Sequence, residues 1–168
     1  LFIIVSIYYF VCMLIQTSIL NFSFGFECLK TSMQMLFSVV GLVSFNLGQL
    51  QIAIVLGGLI SILCSISFTL FISARAKTSL TAILISIVVA LLPAILYTVA
   101  GNSWIVYILP TSGIGLQNSW LYQLVDINFL IIGKSGIWTP YVMGIVTILE
   151  LIIFAILSVY SYCKHKVA

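Results

Sequence analysis

Four long apolar stretches dominate this sequence: Leu1 to about Leu20, about Leu47 to Ile72, Ser79 to Tyr97, and Tyr141 to about Tyr160. A helix needs roughly 20 predominantly apolar residues to cross a hydrocarbon core of about 30 Å, and each stretch meets that length. Composition removes the alternative of a large soluble core, because 63% of the 168 residues are hydrophobic and only 5% are charged. A soluble domain carries about 25% charged residues. The expected fold is therefore all-α, a polytopic transmembrane helix bundle forming a single domain over residues 1–168. The chain opens on Leu1 within an apolar run, with no basic segment or small-residue cleavage site, so it reads as truncated at its amino end and not as carrying a signal peptide.

The stretches have recognisable ends. Asn46 followed by Gln49 resembles a capping box before the second span, Thr78 and Ser79 suit the start of the third, and Thr139 with Pro140 suits N-cap and N1 of the fourth. Trp138, Tyr141, Tyr160 and Tyr162 fall where aromatic side chains mark membrane interfaces. Basic residues cluster after the second span (Arg75, Lys77) and after the fourth (Lys164, Lys166), two crossings apart. The positive-inside rule then places both clusters and the carboxyl end in the cytoplasm, with Lys30 and Lys134 on the other side.

Two apolar regions do not fit a simple span. Met33–Phe45, at 13 residues, is short for a crossing and reads as part of an outer interfacial or re-entrant segment over 23–45. Residues 98–137 are interrupted by Pro110, Gly113, Gly115, Gly133 and Gly136, and Ser119, Gln123 and Asp126 share one helical side. Short interfacial helices dipping into the outer leaflet are expected there.

Within the spans, Gly57, Ser61, Ser65, Thr69 and Ser73 recur every four residues, a small or hydroxylated stripe suited to close helix packing or to lining a pathway. Pro93 removes a backbone donor from the third span and is a candidate kink. Glu150 is the ionisable residue at mid-membrane, by default a functional candidate. It does not forbid insertion: twelve Leu, Ile, Val and Phe residues between Tyr141 and Tyr160 favour it by about 4 to 7 kcal/mol, against about 2 to 3 for one carboxyl. The open readings for Glu150 are a hydroxyl-bonded carboxyl, a packing role, or ion coupling, with Gln16 the deep polar residue available to it.

Other chemistry is poorly represented. A net charge of +3, small and scattered over the chain, does not point to a nucleic-acid partner. Cys12, Cys28, Cys64 and Cys163 show no CxxC spacing, so no metal or disulfide framework is expected. HExxH, GxSxG and GxxxxGK[ST] are absent, and the single His165 stands in the basic tail, so no enzyme activity is expected.

The stretch FNLGQLQIAIVLGGLISILCSISFTLFISARAKTSLTAILISIVVALLPAILY, from Phe45 to Tyr97, resembles the membrane permeases of ATP-binding-cassette exporters of the second type. The likeness is carried by a serine-rich helix end, a short basic turn followed by Ser or Thr (Ser73 to Ser79), and a helix ending near Leu91 to Pro93. LPTSGIG from Leu109 and the closing YSYCKHKVA from Tyr160 are similar to that family's carboxyl-terminal end. The resemblance implies spans three to six of a six-span permease in a bacterial plasma membrane, paired with a second copy or a second permease. It implies no cofactor on this chain: ATP would be used through a separate ATPase subunit, contacting the loop Arg75, Lys77 and Thr78. Alternating access in a dimer would move an unidentified substrate, with the first span and the second-span stripe as lateral path or dimer face and the outer helices as an extracellular gate. The competing expectation is an ion- or proton-coupled secondary transporter or channel using Glu150.

Overall fold

A computed structural model of the chain describes residues 1–32, 46–101, 104–114, 119–125, 129–132 and 135–166. Four helices are long and apolar enough to cross a membrane: α1 (Phe2–Phe24), α2 (Leu47–Arg75), α3 (Ser79–Ala100) and, last in the chain, α6 (Thr139–Lys166). Between α3 and α6 stand two short helices, α4 (Trp104–Tyr107) and α5 (Trp120–Val125), and an antiparallel pair of strands, β1 (Phe129–Ile132) and β2 (Ser135–Trp138). The chain is a multi-pass membrane protein of all-α class. Its outer surface fits lipid and not water: Ile3, Phe22, Ile83, Val99, Ile145 and Ile156 are each more than half exposed.

The helix starts follow from their capping residues. The backbone N–H of Asn46 donates to Gln49 Oε1 at 3.0 Å, one half of a capping box. Thr78 is the N-cap of α3 and its Oγ1 accepts from the Thr81 N–H at 3.3 Å. Helix α6 begins at Thr139, one residue earlier than the cap reading of that residue places it. At their carboxyl ends α2 and α6 outrun the apolar stretches, to Arg75 and Lys166, where basic residues complement the negative end of the helix dipole.

Two compact units divide the chain, 1–59 and 60–168, and the divide falls inside α2. In the first unit, α1 and the opening turns of α2 touch in opposite order along the chain. Gln51 Nε2 donates to Asn21 Oδ1 at 3.2 Å, and the Tyr9 hydroxyl donates to the Val55 carbonyl at 3.0 Å. After α1 the chain makes a short 3-10 helix (Phe26–Lys30), and Ser32 then bridges to Asn46. The expected re-entrant segment Met33–Phe45 lies outside the described residues.

In the second unit, α2 and α6 run parallel. Cys64 meets Glu150, Phe68 stacks edge-on against Phe154 at 5.0 Å, and Ser158 Oγ donates to the Ser67 carbonyl at 3.5 Å, so contacts advance together along both helices. Arg75 and Lys164 therefore share one end of this unit. At the opposite end Val106, Tyr107, Leu130 and Met143 form a buried cluster that Leu96, Tyr97, Trp120 and Val142 pack against, and this cluster fastens the connection between α3 and α6.

That connection contains short helices, α4 and α5, as expected for it, but its last part departs from that expectation. Phe129–Ile132 and Ser135–Trp138 form paired strands, Phe129 opposite Trp138 and Ile132 opposite Ser135. Two residues, Gly133 and Lys134, separate the strands, and the stretches FLII and SGIW are short, partly β-branched and aromatic, which favours strand pairing over a helical turn. Asp126 and Lys134 lie outside the described residues.

Packing of α1 on α2 depends on Gly58, where an added Cβ would collide with the Tyr9 hydroxyl and stand 3.3 Å from Tyr9 Cζ. Gly58→Ala is expected to lower stability by about 1 to 3 kcal/mol, and Tyr9→Phe in the same chain should recover most of that loss. Thermal unfolding in detergent of the two single variants and the double variant measures the coupling; additive losses would exclude the hydroxyl as the obstacle.

Candidate functional site

The four-residue stripe on α2 does not lie on one face. At about 100° per residue, four residues turn the helix by about 400°, so each successive member is rotated by about 40° from the last. Its members accordingly meet different neighbours. Gly57 is buried in the first unit, beside the Gly58 packing point. Ser61 is fully buried in the second unit, where its Oγ accepts from Trp120 Nε1 at 2.8 Å. Gly113, at φ 89°, approaches this pair so closely that a Cβ would stand 2.5 Å from Ser61 Oγ and 2.8 Å from Trp120 Nε1. Ser65 Oγ lies 3.0 Å from the Ser61 carbonyl and 3.1 Å from the Pro110 carbonyl. The connection after α3 is thus tied onto α2 one turn at a time.

Past Ser65 the stripe opens. A groove of about 660 Å³ runs between α2 and α3, with Ser65, Thr69 and Ser73 on one wall, Ser79 and Ser86 on the other, and Thr111 at its inner end. Phe68, Ala82, Ile83, Ile87, Ala90 and Ile114 supply the rest of the lining. The inner hydroxyls are already engaged. Thr69 Oγ1 donates to the Ser65 carbonyl at 2.8 Å, Ser86 Oγ to the Ala82 carbonyl at 2.8 Å, and Thr111 Oγ1 to the Val89 carbonyl at 3.0 Å. Donating to a backbone carbonyl leaves a hydroxyl with acceptor character only, so the inner groove is close to apolar in its demands. Ser73 and Ser79, at the other end, are exposed.

The Thr111 contact explains how Pro93 is accommodated. Proline at 93 has no N–H for the carbonyl four residues earlier, which is that of Val89, and in lipid an unpaired carbonyl is costly. Thr111 supplies the missing donor, and Pro93 itself is fully buried.

Glu150 sits on the other side of α2. Half-buried on α6, its Oε2 accepts from Cys64 Sγ at 3.8 Å, and Cys64 is fully buried. The partner is a thiol, not the serine or threonine weighed for it. Nothing in the spacing of Cys64 marks it as a partner, since only the parallel packing of α2 on α6 brings the two together. Gln16 is exposed on α1. The turn joining α2 to α3 carries Arg75 and Lys77, both exposed, with the Arg75 guanidinium 5.0 Å above the Phe71 ring. Thr78 is occupied as the α3 cap. Among the described residues no three His, Cys, Asp or Glu side chains come together as a metal centre would require.

The chain matches no family model, no curated protein and no solved structure.

If Thr111 is the surrogate donor for the proline, its loss should matter only while the proline is present. Thr111→Val is expected to destabilise by about 0.6 to 1.7 kcal/mol, the range of hydrogen bonds within a bilayer. In a Pro93→Ala background, which restores the N–H, the same change should be nearly neutral. Equal losses in both backgrounds, read by unfolding in detergent, would show that Thr111 acts through packing alone.

Proposed function

We propose that this chain is the membrane-spanning permease subunit of an ATP-driven exporter, working beside a second copy or a second permease in a bacterial plasma membrane. The observation that carries the reading is the groove between α2 and α3, open along one wall of the stripe and bordered by an exposed basic turn. A transporter needs a path through its helices and a lever by which a partner moves them. Here the groove is the path, and Arg75, Lys77 and the capped start of α3 at Thr78 are the lever on which a separate ATPase subunit acts. The sequence likeness from Phe45 to Tyr97 supports the same assignment. The positive-inside rule puts the basic turn and the carboxyl end in the cytoplasm, where such an ATPase works.

In this mechanism the connection after α3 moves with α2. Trp120 on Ser61, Pro110 on Ser65 and Thr111 on Val89 tie it to both α2 and α3. A push on the basic turn therefore shifts the α2–α3 pair and the outer connection as one body, and the outer connection acts as the gate. Packed bodies of this kind switch between discrete arrangements and do not deform smoothly. ATP is consumed by the partner, and this chain needs no bound cofactor.

Glu150 supports a second reading, an ion- or proton-coupled carrier, because a carboxyl held by a thiol in mid-membrane is costly to keep without a use. The two readings part on Glu150→Gln. An exporter should keep ATP-dependent transport within about twofold, whereas an ion-coupled carrier should lose it.

Purification of the tagged full-length gene product in mild detergent is expected to retain an ATPase subunit in stoichiometric amount, with ATP hydrolysis in reconstituted vesicles. Ser61→Leu with Ser65→Leu should reduce that coupled activity at least tenfold, since both positions lie under the outer connection. No ATPase in the complex, or full activity in the double variant, would exclude the exporter assignment.

A further inference from the structure

We propose that Glu150 is a proton-operated latch: carrying its proton it closes α6 on α2 and seats Trp120 between them, and on losing the proton it releases both. Two neighbouring contacts carry the inference. The first is the seam itself, where Glu150 Oε2 accepts from Cys64 Sγ at 3.8 Å and Cys64 is fully buried. The second lies nearer the start of both helices. Trp120 Nε1 donates to Ser61 Oγ on α2 at 2.8 Å, and Cη2 of the same indole stands 3.3 Å from where a Cβ on Gly144 of α6 would be. Ser61 precedes Cys64 by three residues and Gly144 precedes Glu150 by six. Trp120 is thus a wedge whose fit depends on the α2–α6 spacing close to the thiol–carboxyl contact.

The groups around Glu150 decide the sign. From α2 the titratable side chain that meets it is Cys64. The short elements packed on α6, namely α4, α5 and β2, bring no charged side chain; their titratable residues are Tyr107, held in the buried cluster, and Tyr122, which stacks on Tyr97. The next cation along α2 is Arg75, eleven residues past Cys64 or about 16 Å along the axis, and along α6 it is Lys164, fourteen residues past Glu150 or about 21 Å. A carboxylate in the closed seam would therefore face a thiol and hydrocarbon with no cation to pair with, which is costly in a membrane. Water admitted between α2 and α6 relieves that cost, and the same separation loosens the seat of Trp120. Rising pH opens the latch, the proton passing to the entering water, and falling pH closes it. The coupling is reciprocal, so whatever moves Trp120 changes how readily Glu150 gives up its proton. The latch rests on these contacts alone and stands whether or not an ATPase partner exists.

The test is labelling of the purified full-length protein in lipid nanodiscs with N-ethylmaleimide, read at Cys64 by peptide mass spectrometry from about pH 5 to about pH 9, a range that spans carboxyl titration in buried sites. Glu150→Gln keeps the size of the protonated carboxyl but has no proton to lose, and dividing the wild-type rate by the rate in this variant cancels the ionisation of the thiol itself. The ratio should rise at least about fivefold with pH, the lower end of coupling between sites. Glu150→Met, apolar and of similar length, serves the same purpose should the first variant fold poorly. Trp120 gives a second readout: in a Trp104→Phe, Trp138→Phe background its emission should move to longer wavelength as pH rises, stay fixed with Glu150→Gln, and still move with Cys64→Ala. A ratio that does not change with pH would overturn the proposal. So would a Trp120 shift that survives Glu150→Gln, or one that disappears with Cys64→Ala and so belongs to the thiol.

Discussion

In a bilayer a peptide N–H or carbonyl has no water to fall back on, and leaving one unpaired costs several kcal/mol by general transfer measurements. The described architecture can be traced to that pressure. The spans are helices because a helix satisfies its own backbone. Where helices begin, Asn46 with Gln49 and Thr78 provide partners from the sequence itself. Where α3 ends, Gly101 donates its N–H to the Tyr97 carbonyl at 3.0 Å. Where proline breaks the ladder, a threonine 18 residues later closes it (Pro93 to Thr111). The paired strands after α5 satisfy the facing backbone groups of each other within the connection between α3 and α6.

Helix α2 carries most of the consequence. It is the most buried of the four spans, at 22% of its apolar window against 6% for α1. Its polar side chains are distributed by partner: Cys64 and Ser67 toward α6, Ser61 and Ser65 beneath the connection after α3, Thr69 and Ser73 into the groove. In lipid there is no hydrophobic force between helices, so small residues and hydroxyl contacts hold them together. The stripe supplies these contacts in succession, and its slow winding is what allows one helix to serve several neighbours.

Much of this was legible in the sequence for identifiable reasons. Span number and approximate limits follow from hydropathy, which acts on every residue and averages over local detail. Caps at Asn46 and Thr78 were legible because they depend on residues three apart. The shared end of Arg75 and Lys164 follows from counting crossings, which the parallel contacts of α2 with α6 match. The strands at Phe129–Trp138 escaped because apolar, glycine-interrupted sequence near a membrane fits interfacial helices equally well; the two-residue Gly133–Lys134 separation was the available signal. Contacts such as Cys64 with Glu150, or Thr111 with Val89, join residues 86 and 22 apart. No local pattern announces them, because they are products of packing.

The arrangement of polar groups around α2 also separates the functional readings physically. Glu150 reaches α2 at Cys64, on the side shared with Ser67, while Phe68, stacked on Phe154, borders both this contact and the groove. The groove lies on the side reached by Thr69 and Ser73, five and nine residues further on, which is about 140° and 180° around the helix from Cys64. An ion bound at Glu150 would therefore act on the α2–α6 contact, while a guest in the groove would act on the α2–α3 contact. Both contacts share one helix, so either could bias the position of the connection after α3, which is fixed to Ser61 and Ser65. Coupling between them needs no wire of side chains, only two arrangements of α2 that the two faces favour unequally. A half-buried carboxyl whose described partner is a weakly donating thiol is suited to that part, because small movements of α2 against α6 change its surroundings more than they change any well-bonded group nearby.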